Sequence, residues 1–410
     1  MTYDLLIKDI GELATPQEIR AKGKEMEKIK ILKDVDIGIS EGKIERIGNL
    51  KNEKAKEILD AKGGLLLPGF VDSHTHLIFD GTREHELDLK LKGVPYLEIL
   101  KRGGGILYTV KKTRLASKEK LMEKGRRILD KMLSFGSTTV EVKSGYGLDL
   151  ETEIKILEVI KQLNEEHPVD LVPTYLGAHV VPPEFKNKKE EYIQFITDQV
   201  LPKIGEKRLA KYCDVFVEKN VFDIEDARTV LENGMKYGLM PKLHVDEIEN
   251  IGGSRLASEV KAVSADHLTK TSEDEMRILA KNNVVANLLP GTSFMLMKEY
   301  AKAREMMKYN LVVALSTDFN PNCWILSMPV VMSLATYCMK MTPAEVLTAS
   351  TINGAASICL DHKIGSITEG KQADLVLLEL ENFKQLPYMF AVNPVQAVVK
   401  RGEVVYKNNI

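Results

Sequence analysis

From residue 63 to residue 318 the chain alternates short apolar runs with longer stretches whose apolar residues recur at helical spacing. The runs, in order, are "GGLLLPGFVDS", "STTVEVKS", "VDLVPTYLGA", "CDVFVEK", "MPKLHVD", "AVSADHL", "VVANLLPG" and "LVVALSTD". Each has strand length and a near-continuous apolar character, the pattern of parallel strands buried on both faces. Eight strand and helix units predict an α/β architecture, a (β/α)8 TIM barrel. The intervening helices carry their own start and stop signals. Ser117 is placed to cap "KEKLMEKGRRILDKMLSF" and Gly136 to end it, while Thr342, Pro343 and Glu345 form a capping box with proline at the first helical position. "KRGGGI" at 101–106 is too short of strand context for a dinucleotide loop and reads as a loop with unusual backbone angles.

The two ends of the chain have a different rhythm. "YDLLIKD" and "DVDIGISEGKIERIG" near the start, and "IGSITEGKQADLVLLEL" and "PVQAVVKRGEVVYK" near the finish, are short β-rich pieces joined by turn residues. They predict a discontinuous small β-sandwich domain from residues 1–62 and 363–410, with the barrel domain over 63–362. A length of 410 residues suits one large domain plus one small one. With 57 basic and 59 acidic side chains the formal charge is -2, so no global field draws the protein to nucleic acid or an anionic membrane, and neither is an expected partner. The first twenty residues carry acids where a signal peptide has a basic region, and no later apolar run has spanning length. A cytoplasmic location is the expectation. Cys213, Cys323, Cys338 and Cys359 show no paired spacing, in keeping with a reducing compartment.

Chemistry in such a barrel sits at the C-terminal ends of the strands. Those ends here carry Asp72, His74, His76, His179, His244, Glu247, Asp266, His267 and Asp318, including five of the chain's eight histidines. His74 and His76 are two apart, so in an extended strand both imidazoles face one side. The pair alone is as readily two hydrogen-bonded histidines as two ligands. With His244 and Asp318 it would make a nitrogen and oxygen set suited to zinc or ferrous iron, with a position left for water.

"LPGFVDSHTHLIF", "KLHVDE", "SADHL" and "ALSTDFNP" together resemble the amidohydrolase superfamily. "GTREHELDLKLKGVPYLEI", "GGGILYTVKKTRLAS", "STTVEVKSGYGLD", "YLGAHVVPPEF" and "STDFNP" resemble, more narrowly, the imidazolonepropionase family within it. That resemblance implies His74, His76, His244 and Asp318 as ligands of one Zn2+ or Fe2+/Fe3+ ion per chain. It implies a small-molecule substrate, 4-imidazolone-5-propanoate, hydrolysed at its cyclic amide to N-formimidoyl-L-glutamate in the third step of histidine degradation. Glu247 matches the catalytic carboxylate that takes and returns a proton, His267 a second active-site histidine able to polarise the carbonyl, and Asp318 a carboxylate beside the attacking water. Arg83, Tyr146 and His179 match substrate-binding positions, Arg83 having the fork that grips a carboxylate tail. Asn320 lies in the product-contacting loop. The pattern departs at Asn322 and Cys323, which stand where relatives carry glycine and a small hydroxyl residue at substrate-contacting positions. A two-metal site bridged by a modified lysine on the fourth strand is the minority expectation, because that strand ends in Glu218 and Lys219 and Lys143 ends the second. A deaminase acting on a purine, pyrimidine or other cyclic amidine is the alternative activity, and a homodimer the default assembly.

Overall fold

The computed structural model describes residues 2–94, 98 and 103–408. The N-terminal part supplies β1 (Thr2–Pro16), β2 (Ile29–Ser40), β3 (Lys43–Gly48), β4 (Lys54–Asp60) and β5 (Leu65–Pro68). The barrel strands are β6 (Phe70–Thr75), β7 (Ser137–Lys143), β8 (Asp170–Ala178), β9 (Tyr212–Val217), β10 (Met240–Val245), β11 (Ser264–His267), β12 (Val285–Leu288) and β13 (Val313–Leu315). The chain returns to the first sheet with β14 (Leu375–Leu378), β15 (Val395–Lys400) and β16 (Glu403–Lys407).

Strands β6 to β13 form an eight-stranded parallel sheet in sequence order, the TIM barrel that the alternating pattern predicts. The sheet rolls back on itself: the Asp318 amide donates to the His74 carbonyl at 3.1 Å, and the His76 amide to the Phe319 carbonyl at 2.8 Å. Side chains close the same seam, with Asp72 accepting from the Thr317 amide at 3.0 Å and its hydroxyl at 2.6 Å. Helix signals hold as read. Ser117 caps Lys118–Ser134, Gly136 comes next at φ 89°, and Thr342 with Glu345 closes the box at Pro343–Ala349. Gly103 and Gly105 have φ of 85° and 74°, while Lys101 and Arg102 of the same stretch lie outside the described residues.

Two expectations need correction. "GGLLLPGFVDS" is not one strand: β5 runs antiparallel beside β14 in the other sheet, and only after Gly69 does β6 enter the barrel. The barrel strands are also not apolar on both faces. Val140, Val142, Val215, Val217, Leu243, Val245 and Ala265 join the large core, while the residues alternating with them, Glu141, Lys143, Asp214, Lys242, His244 and Asp266, are polar and buried. A strand's period of two sends these polar residues to the opposite face, the barrel interior.

The terminal segments meet in one sheet ordered β16-β15-β14-β5-β1-β2-β3, with β4 beside the first half of β1. Leu5, Ile37, Leu375 and Val399 share a core of their own there. Lys400, nearly fully buried, ties this sheet to the barrel through Asp374 at 2.6 Å and Asp170 at 2.7 Å. Among the described residues no helix is long and apolar enough to cross a membrane.

Gly69 is the pivot between sheet and barrel, and a Cβ there would lie 2.4 Å from Thr138 Oγ1 and Cγ2 and 2.9 Å from its Cβ. Gly69→Ala should therefore destabilise the fold by about 1–3 kcal/mol, the usual cost of overpacking, read as a lower midpoint in urea at unchanged slope.

Candidate active site

The five strand-end histidines and Asp318 are all buried at one end of the barrel. His74 lies within β6 and His76 just beyond it, on the side that the two-residue period predicts. His244 is two residues past Lys242 on β10. Three of the strand-to-loop transitions pass through left-handed backbone at residues other than glycine: Asp246 at φ 54°, His267 at φ 78° and Asp318 at φ 49°. Aspartate and histidine enter that conformation more readily than most other residues.

Four ligand-type atoms converge. His76 Nε2 lies 3.4 Å from His244 Nε2 and 3.5 Å from Asp318 Oδ1, and His74 Nε2 lies 3.5 Å from the same oxygen. Bonds of about 2.1 Å to a tetrahedral ion put neighbouring ligand atoms about 3.4 Å apart, so these spacings fit a shared zinc-sized ion. His74 Nε2 is buried and has no hydrogen-bond partner among the described residues. A buried imidazole nitrogen left without a partner is costly unless something else fills the position. Burial, and then the Lys143 ammonium, hold His74 well below the ordinary histidine pKa; burial, and then His179, do the same for His76. Both are thus neutral at pH 7, the form that ligates a metal. The donor set can hold a metal ion.

Behind these groups stands a buried ionic layer. Asp266 Oδ2 lies 2.7 Å from His74 Nδ1, and Asp214 Oδ1 lies 3.1 Å from His244 Nδ1. A carboxylate accepting from Nδ1 turns the Nε2 lone pair toward the shared centre. Burial alone would raise the Asp214 carboxyl, but the His244 imidazole and the Lys143 ammonium hold it far below the usual range. Asp318 goes the other way, raised by burial against the partial offset of His267 and the Thr292 hydroxyl bonded to its Oδ2.

In front of the ligands is a cavity of about 380 Å3, lined by His76, Arg83, Tyr146, His179, Glu247, His267, Asp318, Asn320 and Asn322. Glu247 Oε2 is 3.7 Å from His267 Nε2. The rings of His76, Tyr146 and His179 pack together at centroid distances of 5.3–5.8 Å. Arg83 is buried, with Glu86 accepting from its Nε at 2.9 Å and from NH2 at 2.7 Å, so part of the fork expected to grip substrate is engaged within the protein. Lys90 adds a second cation to this wall, reaching Asn322 Oδ1 and standing 3.8 Å from Glu86. The Asn320 side chain is spent on its own turn, donating to Asp318 and accepting from the amides of Asn322 and Cys323. Cys323 is not brought to the cavity: its thiol is fully buried, directed to the Thr317 carbonyl at 3.6 Å. A hydroxyl-like contact to substrate from position 323 is therefore corrected to a packing role.

Residues 223–405 match the model of the amidohydrolase family. Across 99% of this chain and 98% of its own length, the imidazolonepropionase of Alkaliphilus metalliredigens is 50% identical. The chain belongs to the imidazolonepropionase family. The imidazolonepropionases of Alkaliphilus oremlandii and Clostridium tetani are 46% and 44% identical, each covered over at least 99% of both chains. Solved structures of more distant proteins share the fold: a zinc-bound adenosine deaminase from Xanthomonas campestris (TM-score 0.73, 19% identity, 98% and 93% of the two chains) and the guanine deaminase of E. coli (TM-score 0.76, 16% identity, 98% and 99%).

Around the candidate site of this imidazolonepropionase framework stand Glu86, Lys90 and Asp214, which the motifs did not single out, and Lys143, which they raised only as a metal-bridging lysine. Glu86 had a usable signal, its place three residues after Arg83, since i and i+3 side chains adjoin on a helical turn. Asp214 had only its alternation with Val215 on the fourth strand. For the ligand set, His244→Ala and Asp318→Ala should each lower metal retained after dialysis by roughly tenfold or more, measured by atomic emission. Full retention by either variant would remove that residue from the set.

Proposed function

We propose that the chain hydrolyses the ring amide of 4-imidazolone-5-propanoate to N-formimidoyl-L-glutamate, using one zinc or iron ion held by His74, His76, His244 and Asp318. The observation that carries this reading is the placement of charged and metal-type side chains around the cavity. Metal-type ligands form its floor, and Arg83 and Lys90 form a cationic wall, which suits a small cyclic amide bearing a carboxylate. The names of the near-full-length relatives favour the same substrate.

When bound, the ion supplies a water acidified to near-neutral pH and a Lewis acid for the ring carbonyl. The protein's own groups do the rest. Glu247, at the cavity wall beside His267, takes a proton from the attacking water and returns it to the ring nitrogen as the carbonyl carbon to nitrogen bond breaks. Oxygen from water stays on the carbon, the freed nitrogen keeps the returned proton, and the second water proton leaves to solvent as the new carboxylic acid ionises to carboxylate. His267 donates toward the oxygen on which negative charge develops, and Asp318 orients the water. Arg83, held by Glu86, and Lys90 attract the propanoate, while Tyr146 and His179 bound the ring. Asn320 and Asn322 shape the loop beside the cationic wall. A homodimer and a cytoplasmic setting accord with a small-molecule metabolic enzyme.

Two substitutions test the roles. Glu247→Gln should keep its metal and lose about 10²–10⁴-fold in kcat, followed as disappearance of the imidazolone ultraviolet band. Unchanged turnover would take Glu247 out of the mechanism, and ammonia release without ring opening would turn the reading to a deaminase. Lys90→Met should raise KM roughly tenfold, the worth of one charge-assisted hydrogen bond, with kcat little changed. A fall in kcat alone would place Lys90 away from the carboxylate.

A further inference from the structure

We infer that Lys143 is a positioning residue for the metal centre, clamping from inside the barrel the two carboxylates that orient His74 and His244. The inference rests on the reading of those histidines as metal ligands. Lys143 Nζ lies 2.7 Å from Asp214 Oδ2, 2.9 Å from Glu141 Oε1 and 3.6 Å from Asp266 Oδ2, and all four side chains are fully buried. An ammonium has three protons, and three carboxylates from three strands surround it. Two of them reach onward to Nδ1 of His244 and of His74, ligands on strands that do not adjoin. Lys143 is therefore one carboxylate removed from two ligands at once.

The alternatives for a lysine at this position fit less well. To ligate a second ion or attack a substrate it would need a free lone pair, and it does not line the cavity. Although burial works against the charge, Asp214, Glu141 and Asp266 hold the ammonium well above its ordinary pKa. Glu141 is in turn bonded by the Thr174 hydroxyl and Asp266 by Ser264 Oγ at 2.6 Å, whereas Asp214 is held by Lys143 on one oxygen and meets His244 with the other. Loss of Lys143 should therefore free His244 most and His74, through the 3.6 Å contact to Asp266, to a smaller degree.

Loading the metal-free full chain with Co2+ tests this, with affinity taken from chelator competition and ligand geometry from the visible absorption band. Lys143→Met should weaken Co2+ binding about 10- to 100-fold, the usual loss for a partner behind the ligands, and should change the band. Asp214→Asn should do likewise, and the double variant should be no more than about threefold worse than the weaker single, because both act through one chain of contacts. Lys143→Met that binds Co2+ as the parent does, with an unaltered band and only a lower unfolding temperature, would overturn the inference, as would fully additive losses. Should Lys143→Met not fold, Lys143→Gln, which keeps a donor, is judged by the same two readouts. Absence of any Co2+ band in the unsubstituted chain would instead remove the metal reading itself, and this inference with it.

Discussion

Everything at the catalytic end depends on one constraint: polar side chains fully buried on the inner face of a closed parallel barrel are costly unless they are partnered within the protein. Glu141, Lys143, Asp214, Lys242, Asp266 and Asn287 are all fully buried there. The solutions are cross-barrel. Lys143 on β7 bonds Asp214 on β9, the Asn287 carbonyl on β12 accepts from Ser316, and the Ser316 and Ser73 hydroxyls meet at 2.9 Å across the seam. Lys242 gives its protons to the backbone carbonyls of Ser73 and Ser357.

Such a network is demanding in register. Sliding any strand by one residue would exchange its inward charge for an outward valine and strand the partner on another strand. The strand-end histidines inherit that stringency. Asp72, tying Thr317 to β6, keeps the ends of the first and last strands level, and these ends carry His74 and Asp318. Burial drives the Asp72 carboxyl up to about 7 even with the Thr317 hydroxyl and amide bonds pulling it down. Closure of the barrel thus also brings together the candidate metal-holding groups. The apolar energy lies elsewhere, in the layer between strands and helices, where Val140, Val215, Leu243 and Leu288 pack.

What could be read from the chain was whatever is local. Capping residues lie within four positions of the amides they serve, so Ser117 and the Thr342–Glu345 box announced their helices. The H-x-H pair needed only a strand's period. The alternation hidden in "TTVEVK" and "CDVFV" was legible too, but a charge inside an apolar run reads as an outward one until the barrel closes around it. The partners of those charges could not be seen at all. Lys143 and Asp214 are 71 positions apart, and nothing in either stretch points to the other. The break at Gly69 was equally silent, because Leu65–Pro68 is as apolar as Phe70 and Val71 beyond it, and what assigns it to the other sheet is pairing with β1, some 50 residues back, and with β14, some 300 residues on.

The departure at Asn322 gains a physical sense from the same need for partners. Glycine at that place would leave Lys90 with Glu86, and at 3.8 Å that pair is not a hydrogen bond. The Asn322 carbonyl instead takes the ammonium directly. A side-chain amide there costs the cavity little, since its backbone amide is already held by Asn320. Burial, and then the Arg83 guanidinium, lower Lys90 from its ordinary pKa, so an acceptor beside it favours the charged form that an anionic substrate needs. The cationic wall is therefore built from two cations, each steadied by an acceptor of its own. Arg83 has the Glu86 carboxylate, which fixes a planar fork, and Lys90 has an uncharged amide, which holds a mobile ammonium without cancelling its charge.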